Sequence, residues 1–284
     1  MSDSLSCYVA ADDGTYREEP ERNLIIQQWL ETFALSCKLD LSGLSGILFT
    51  PKLFLSQYGG EFIRRKNGES YILIAEVLWQ NSRLDAESSQ LLQNTLQHEL
   101  SHVDNNNRLK EIKGSITGEL YRETSDYTSF FYRVWDEYYA TRLAVESEPL
   151  KLLQAKTTGL LSELRLLARM MTSFSSDRHQ ERKMHLEATF LACIYLCGSL
   201  ALDSLSEQKN ILQPLQDTPF AEQVYQISAA CSRVYEQYPF EHYRALQPLL
   251  QSFAEFIPVM EKATRPFWRQ FLSKDSLPKF KVIK

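Results

Sequence analysis

Histidine is scarce in this chain, with 5 among 284 residues, and long apolar runs are missing. The longest, from Ala188 to Leu202, covers about fifteen residues with polar breaks, short of the roughly twenty that a membrane-crossing helix needs. It reads as a buried helix, and no membrane role is expected. The opening Met1-Ser2-Asp3-Ser4-Leu5-Ser6-Cys7 has neither the basic end nor the apolar stretch of a signal peptide, which points to a cytoplasmic protein. Clustered Lys and Arg are lacking too, and the net charge is -5, so a general nucleic-acid role is excluded. Only the terminal Lys279-Phe280-Lys281-Val282-Ile283-Lys284 is basic, and a short terminal charge run is normally solvated. The 5 cysteines are odd in number and follow no framework spacing, as expected of a reducing compartment. Cys193 and Cys197 stand four apart on the apolar run, where small buried hydrophobes are the expected reading.

What is present is enough apolar material, 44% of residues, for one large domain or two modest ones. Before Pro149 strand and helix signals mix. Gly46–Thr50, stopped by Pro51, reads as a strand. Ser70–Trp79 is β-prone and follows the turn-like Lys66-Asn67-Gly68-Glu69, with Glu61–Arg65 as the partner arm of a hairpin. Beyond Pro149 nearly every segment has helical periodicity, with breaks near Ser173 to Asp177, Asp203 to Ser206, Pro214 to Pro219, Tyr238-Pro239 and Pro258. No fixed-period repeat is evident. The expected architecture is α+β: a domain over 1–148 with a small β-sheet, then an all-α helical domain over 149–284, an antiparallel array of about five or six helices.

Chemistry enters at His98-Glu99-Leu100-Ser101-His102, an HExxH motif. The surrounding run from Asp85 to Val103 has no Gly or Pro and carries acidic residues in its first turn, so a helix is predicted there. Leu92, Leu96 and Val103 form a packing stripe, and Leu91, Thr95, His98 and His102 a neighbouring one. Side chains four apart on a helix lie one above the other, so both imidazoles can reach one metal ion. Glu99 is turned partly aside, where a carboxylate can take a proton from a water that the metal activates. A catalytic zinc site usually has three protein ligands and an open position. The best third ligand is Glu137, on a helix-like stretch from about Ser129 to Glu148. Ala140 and Ala144 lie three and seven residues on, along the same face, small enough for another helix to come close. Asp104 suits a supporting or helix-end role, and Asp126 and Asp136 are rival ligands without a supporting flanking pattern.

HExxH followed by a helical Glu-x-x-Ala resembles the gluzincin branch of the zincin metallopeptidases, in particular the small ImmA/IrrE-like members, over roughly residues 45 to 148. The resemblance implies a zincin-like fold with one Zn2+ per chain on His98, His102 and Glu137, and Glu99 as general base. It implies hydrolysis of peptide bonds in a peptide or protein substrate, in an intracellular regulatory or processing role. Zincins receive substrate by strand addition at an edge strand beside the active-site helix. Candidates for the oxyanion donor are Tyr138, Tyr139, His179, His185 and His242. The alternative is a catalytically silent zincin-fold sensor or scaffold. Three roles stand open for the helical half: walling one side of the cleft, recruiting a protein substrate or partner, or masking the site.

Overall fold

The computed structural model of the protein describes residues 5–11, 15–51, 59–65, 69–110, 128–145, 157–162, 164, 166, 179–201, 205–215 and 221–263. They divide into two compact units, 1–108 with 139–152 and 109–138 with 153–284.

The first unit is built on a sheet of β1 (Ser6–Ala10), β2 (Tyr16–Glu18), β3 (Leu44–Thr50), β4 (Gly60–Arg64) and β5 (Ser70–Ala75), in the order β2-β1-β3-β5-β4. The three inner strands run parallel, and β2 and β4 close the edges antiparallel. Central parallel strands are covered on both faces, which is why β3 is buried continuously from Gly46 to Thr50 rather than alternately. Its Ile47 and Phe49, with Ile72 and Ile74 of β5, are wholly inaccessible to solvent. Helix α1 (Pro20–Cys37) leads into β3. Pro20 opens it, where a missing N–H costs nothing, and Ile26, Leu30 and Phe33 form its buried stripe.

The strand expected over Ser70–Trp79 ends at Ala75, and Glu76–Ser82 is helix α2. The cause lies on α1. Arg22 is buried and donates from Nη1 and Nη2 to the two carboxylate oxygens of Glu76 at 2.6 and 2.8 Å, and from Nε to Glu19 at 2.8 Å. Its guanidinium lies 4.7 Å from the Phe49 ring centre and 4.9 Å from that of Trp79. Turning the chain at Glu76 brings carboxylate and indole to this one cation. The hairpin pairing of the two segments also decides the sheet edge. β5 is enclosed between β3 and β4, so β4 (Gly60–Arg64) is the edge strand.

Helix α3 (Ala86–Arg108) begins at an N-cap, Asp85, which accepts from the Ser88 N–H at 2.7 Å and the Ser88 hydroxyl at 3.0 Å. It runs five residues past the expected end at Val103. The Asp104–Asn107 run stays helical because its polar side chains find partners outside the helix. Asp104 accepts from the Asp40 N–H, and Asn107 donates to the carbonyls of Asp40 and Ser42 at 2.9 and 2.6 Å. Helix α4 (Thr128–Val145) follows, with residues beyond its predicted end near Glu148 outside those described.

Among the described residues the second unit contains no strand. Its helices include the first part of α4, and α5 (His179–Ser199), α6 (Leu205–Leu212), α7 (Ala221–Tyr235) and α8 (Gln247–Ala263). Phe130, Phe131, Phe190, Phe253 and Phe256 interlock as a ring cluster with centroids 4.9 to 6.2 Å apart. Cys193 and Cys197 are fully buried in this core, and burial pushes both thiols far above their ordinary range. They act as small hydrophobes. The break expected near Pro258 does not occur: α8 carries the proline within it, and Phe253, Phe256 and Ile257 just before it are buried. Packing of that apolar face outweighs one lost backbone hydrogen bond. Among the described residues no helix is long and apolar enough to cross a membrane.

Candidate metal centre

His98 and His102 are four apart on α3, and their rings turn toward each other edge to face, with the two Nε2 atoms 3.2 Å apart. Both imidazoles thus present the same atom to one point. Two ligand nitrogens at tetrahedral angles, each about 2.05 Å from a zinc ion, stand about 3.3 Å apart, so the pair fits without rearrangement. His102 is buried and His98 half-buried, leaving one side open.

Helix α4 supplies the third group. The C-terminal half of α4 is held on α3 within the first unit: Asn94 Nδ2 donates to the main-chain carbonyl of Ala144 at 3.2 Å, and the Tyr139 hydroxyl donates to Asp104 Oδ2. A side chain reaches a carbonyl in the last turn of a neighbouring helix only where the two helices come close, and Ala140 and Ala144, both buried, permit it. Two residues before Tyr139 on this continuous helix stands Glu137. A carboxylate oxygen of Glu137 and one ring nitrogen each of His98 and His102 all lie within 4.8 Å of one another. Among the described residues this is the one such group, and it could hold a metal ion. Two imidazoles and a carboxylate are the donor set of a catalytic zinc site with an open position. Arg133, one turn earlier, has its Nε 3.6 Å from Glu137 Oε1, which tethers the carboxylate on the solvent side.

Glu99 is not in that group. It is buried, only 4% exposed, and lies against edge strand β4 where Gly60 begins it. Among the described residues no strand pairs with the far side of β4, which has backbone groups to offer. Bonds from Ala75 N to Gly59 O and from Arg65 N to Glu69 O mark the paired positions with β5. Antiparallel pairs alternate, so the N–H and C=O of Phe62 and Arg64 face away from β5.

Of the other candidates, Asp104 has no exposure and is occupied by Tyr139, Asp40 and Arg108, a bracing role rather than a ligand's. Tyr139 donates its hydroxyl to Asp104, which removes it as an oxyanion donor. Tyr138 is buried against Trp135 at a ring separation of 6.0 Å. Asp136 is half-buried and outside the His-His-Glu group. His242 is exposed, while Asp126 and the side chains of His179 and His185 lie outside the described residues. Sequence reasoning missed Gly60 and Arg133. The Gly59-Gly60 pair was a signal for close backbone approach, and Arg133-x-x-x-Glu137 for a tether one helical turn long.

Comparison of the chain with family models, with curated proteins and with solved structures gave no match.

Proposed function

We propose that the protein is a zinc-dependent metallopeptidase of zincin type, hydrolysing peptide bonds with Glu99 as general base. The observation that carries the reading is the convergence of one ring nitrogen each of His98 and His102 with a carboxylate oxygen of Glu137, the buried Glu99 following His98 in the chain. His98, His102 and Glu137 would hold the ion. Zinc in such a site supplies Lewis acidity, which polarises a scissile carbonyl and brings the pKa of a water to around 7.

The chain's own residues do the rest. Glu99 takes the proton from the attacking water and returns it to the leaving amine; its burial beside the cation site keeps the carboxylate out of competing solvent. A peptide in extended form adds to β4 through the outward N–H and C=O groups of Phe62 and Arg64, so recognition rests on backbone and tolerates varied sequence. Asp104 and Tyr139 hold α4, and with it Glu137, in register with α3.

The test is paired. Glu99→Gln is expected to retain zinc and lose cleavage of a peptide library by about a hundredfold or more. His98→Ala is expected to lose the zinc itself. Undiminished cleavage by Glu99→Gln contradicts the mechanism.

A further inference from the structure

We infer that Gly60 is a positioning residue for Glu99: the absent side chain at the start of β4 is the space in which the Glu99 carboxylate is held. The inference rests on the metallopeptidase reading and assigns a residue outside the HExxH motif to its base.

A Cβ added at Gly60 would stand 2.8 Å from Glu99 Oε1, 3.0 Å from Glu99 Cγ and 2.8 Å from the Thr95 methyl. These distances are below ordinary carbon contacts, so something must move. Gly60 does not have the left-handed backbone that reserves Gly59, at φ 80°, for glycine. Alanine at 60 is therefore acceptable to the backbone, and what excludes it is occupancy. Thr95 cannot turn its methyl away cheaply, because its hydroxyl donates to the Leu91 carbonyl at 2.9 Å and fixes the rotamer. The movement falls on Glu99, whose carboxylate is the far end of a flexible side chain. Gly60 thus lets strand backbone wall one side of the carboxylate next to His98, and brings the peptide-docking edge as near to the base as a chain can come.

Acetohydroxamate is a suitable probe without a known substrate. It chelates zinc through two oxygens and passes its hydroxyl proton to an adjacent carboxylate, so its affinity reads both groups. Zinc content and acetohydroxamate affinity are measured by metal analysis and calorimetry for wild type, Glu99→Gln, Gly60→Ala and Gly60→Ala/Thr95→Ser. The last variant removes the Thr95 methyl, one of the three crowded contacts, and so protects the fold. All four are expected to carry zinc, and all three variants to bind the probe about tenfold or more weakly, since a charge-assisted hydrogen bond is lost. Gly60→Ala binding like wild type while Glu99→Gln is impaired overturns the inference. Full recovery in Gly60→Ala/Thr95→Ser overturns it too, by placing the defect at Thr95. Unchanged affinity in Glu99→Gln removes the role of Glu99 and this inference with it. A wild-type protein that takes up no zinc defeats the metal centre itself, an outcome distinct from all of these.

Discussion

Asp104 has no solvent exposure and accepts hydrogen bonds from Asp40, Arg108 and Tyr139. Removing one donor leaves a buried carboxylate oxygen short of a partner. Tyr139→Phe is therefore expected to lower unfolding stability by about 1 to 3 kcal/mol in denaturant titration and to weaken zinc binding as α4 loosens. Equal stability and equal zinc affinity would show that this bond does not brace the centre. Glu137→Gln keeps the size of the side chain and removes its charge. Zinc affinity in a chelator competition is expected to fall about tenfold or more, with the fold intact in its far-UV spectrum. At this scale the sequence was legible where spacing alone decides geometry: His98 and His102 face one point because four residues make a helical turn. Tyr139 was not legible, because the partner of a hydroxyl is decided by which helix packs against it.

At the scale of elements, α1 and α2 are joined through the Arg22–Glu76 pair, whose arginine side chain is 7% exposed and carboxylate side chain 23%. Truncating one partner of such a pair leaves the other charge poorly solvated. Arg22→Ala is expected to cost about 3 kcal/mol, read as an earlier denaturation midpoint. A cost near zero would mean that the Arg22–Glu76 pair adds no net stability. The cap of α3 gives a pH-dependent prediction. The Ser88 N–H and hydroxyl hold the Asp85 carboxyl below its usual range, so its contribution is full above the ordinary carboxylate pKa and is lost as pH falls through the lowered folded value. The difference in melting temperature between wild type and Asp85→Ala should be constant near neutrality and narrow below about pH 4. A difference that is flat down to strong acid contradicts an ionic cap. Element type was read well from periodicity, but ends were not. The strand into Trp79 stopped early for Arg22, α3 ran on for Asp40 and Ser42, and α8 passed through Pro258; each was settled by residues distant in the chain.

For the molecule as a whole, a metal ion held by His98, His102 and Glu137 would tie residues far apart in sequence to one point, so on the proposed reading zinc would add to stability as well as to chemistry. A ligand that binds only the folded chain stabilises by mass action, so a chelator should lower the melting temperature and added zinc restore it. The same treatment should leave His98→Ala unmoved. The helical half was legible as a class from its periodicity and its lack of strand signals, because helix-forming patterns are local. The central claim is that His98, His102 and Glu137 form one zinc site, and the most direct test is the zinc content of the purified wild-type protein. About one equivalent per chain, retained through gel filtration or regained on titration, is the expected result. Less than about a tenth of an equivalent, with no uptake on titration, would contradict the account.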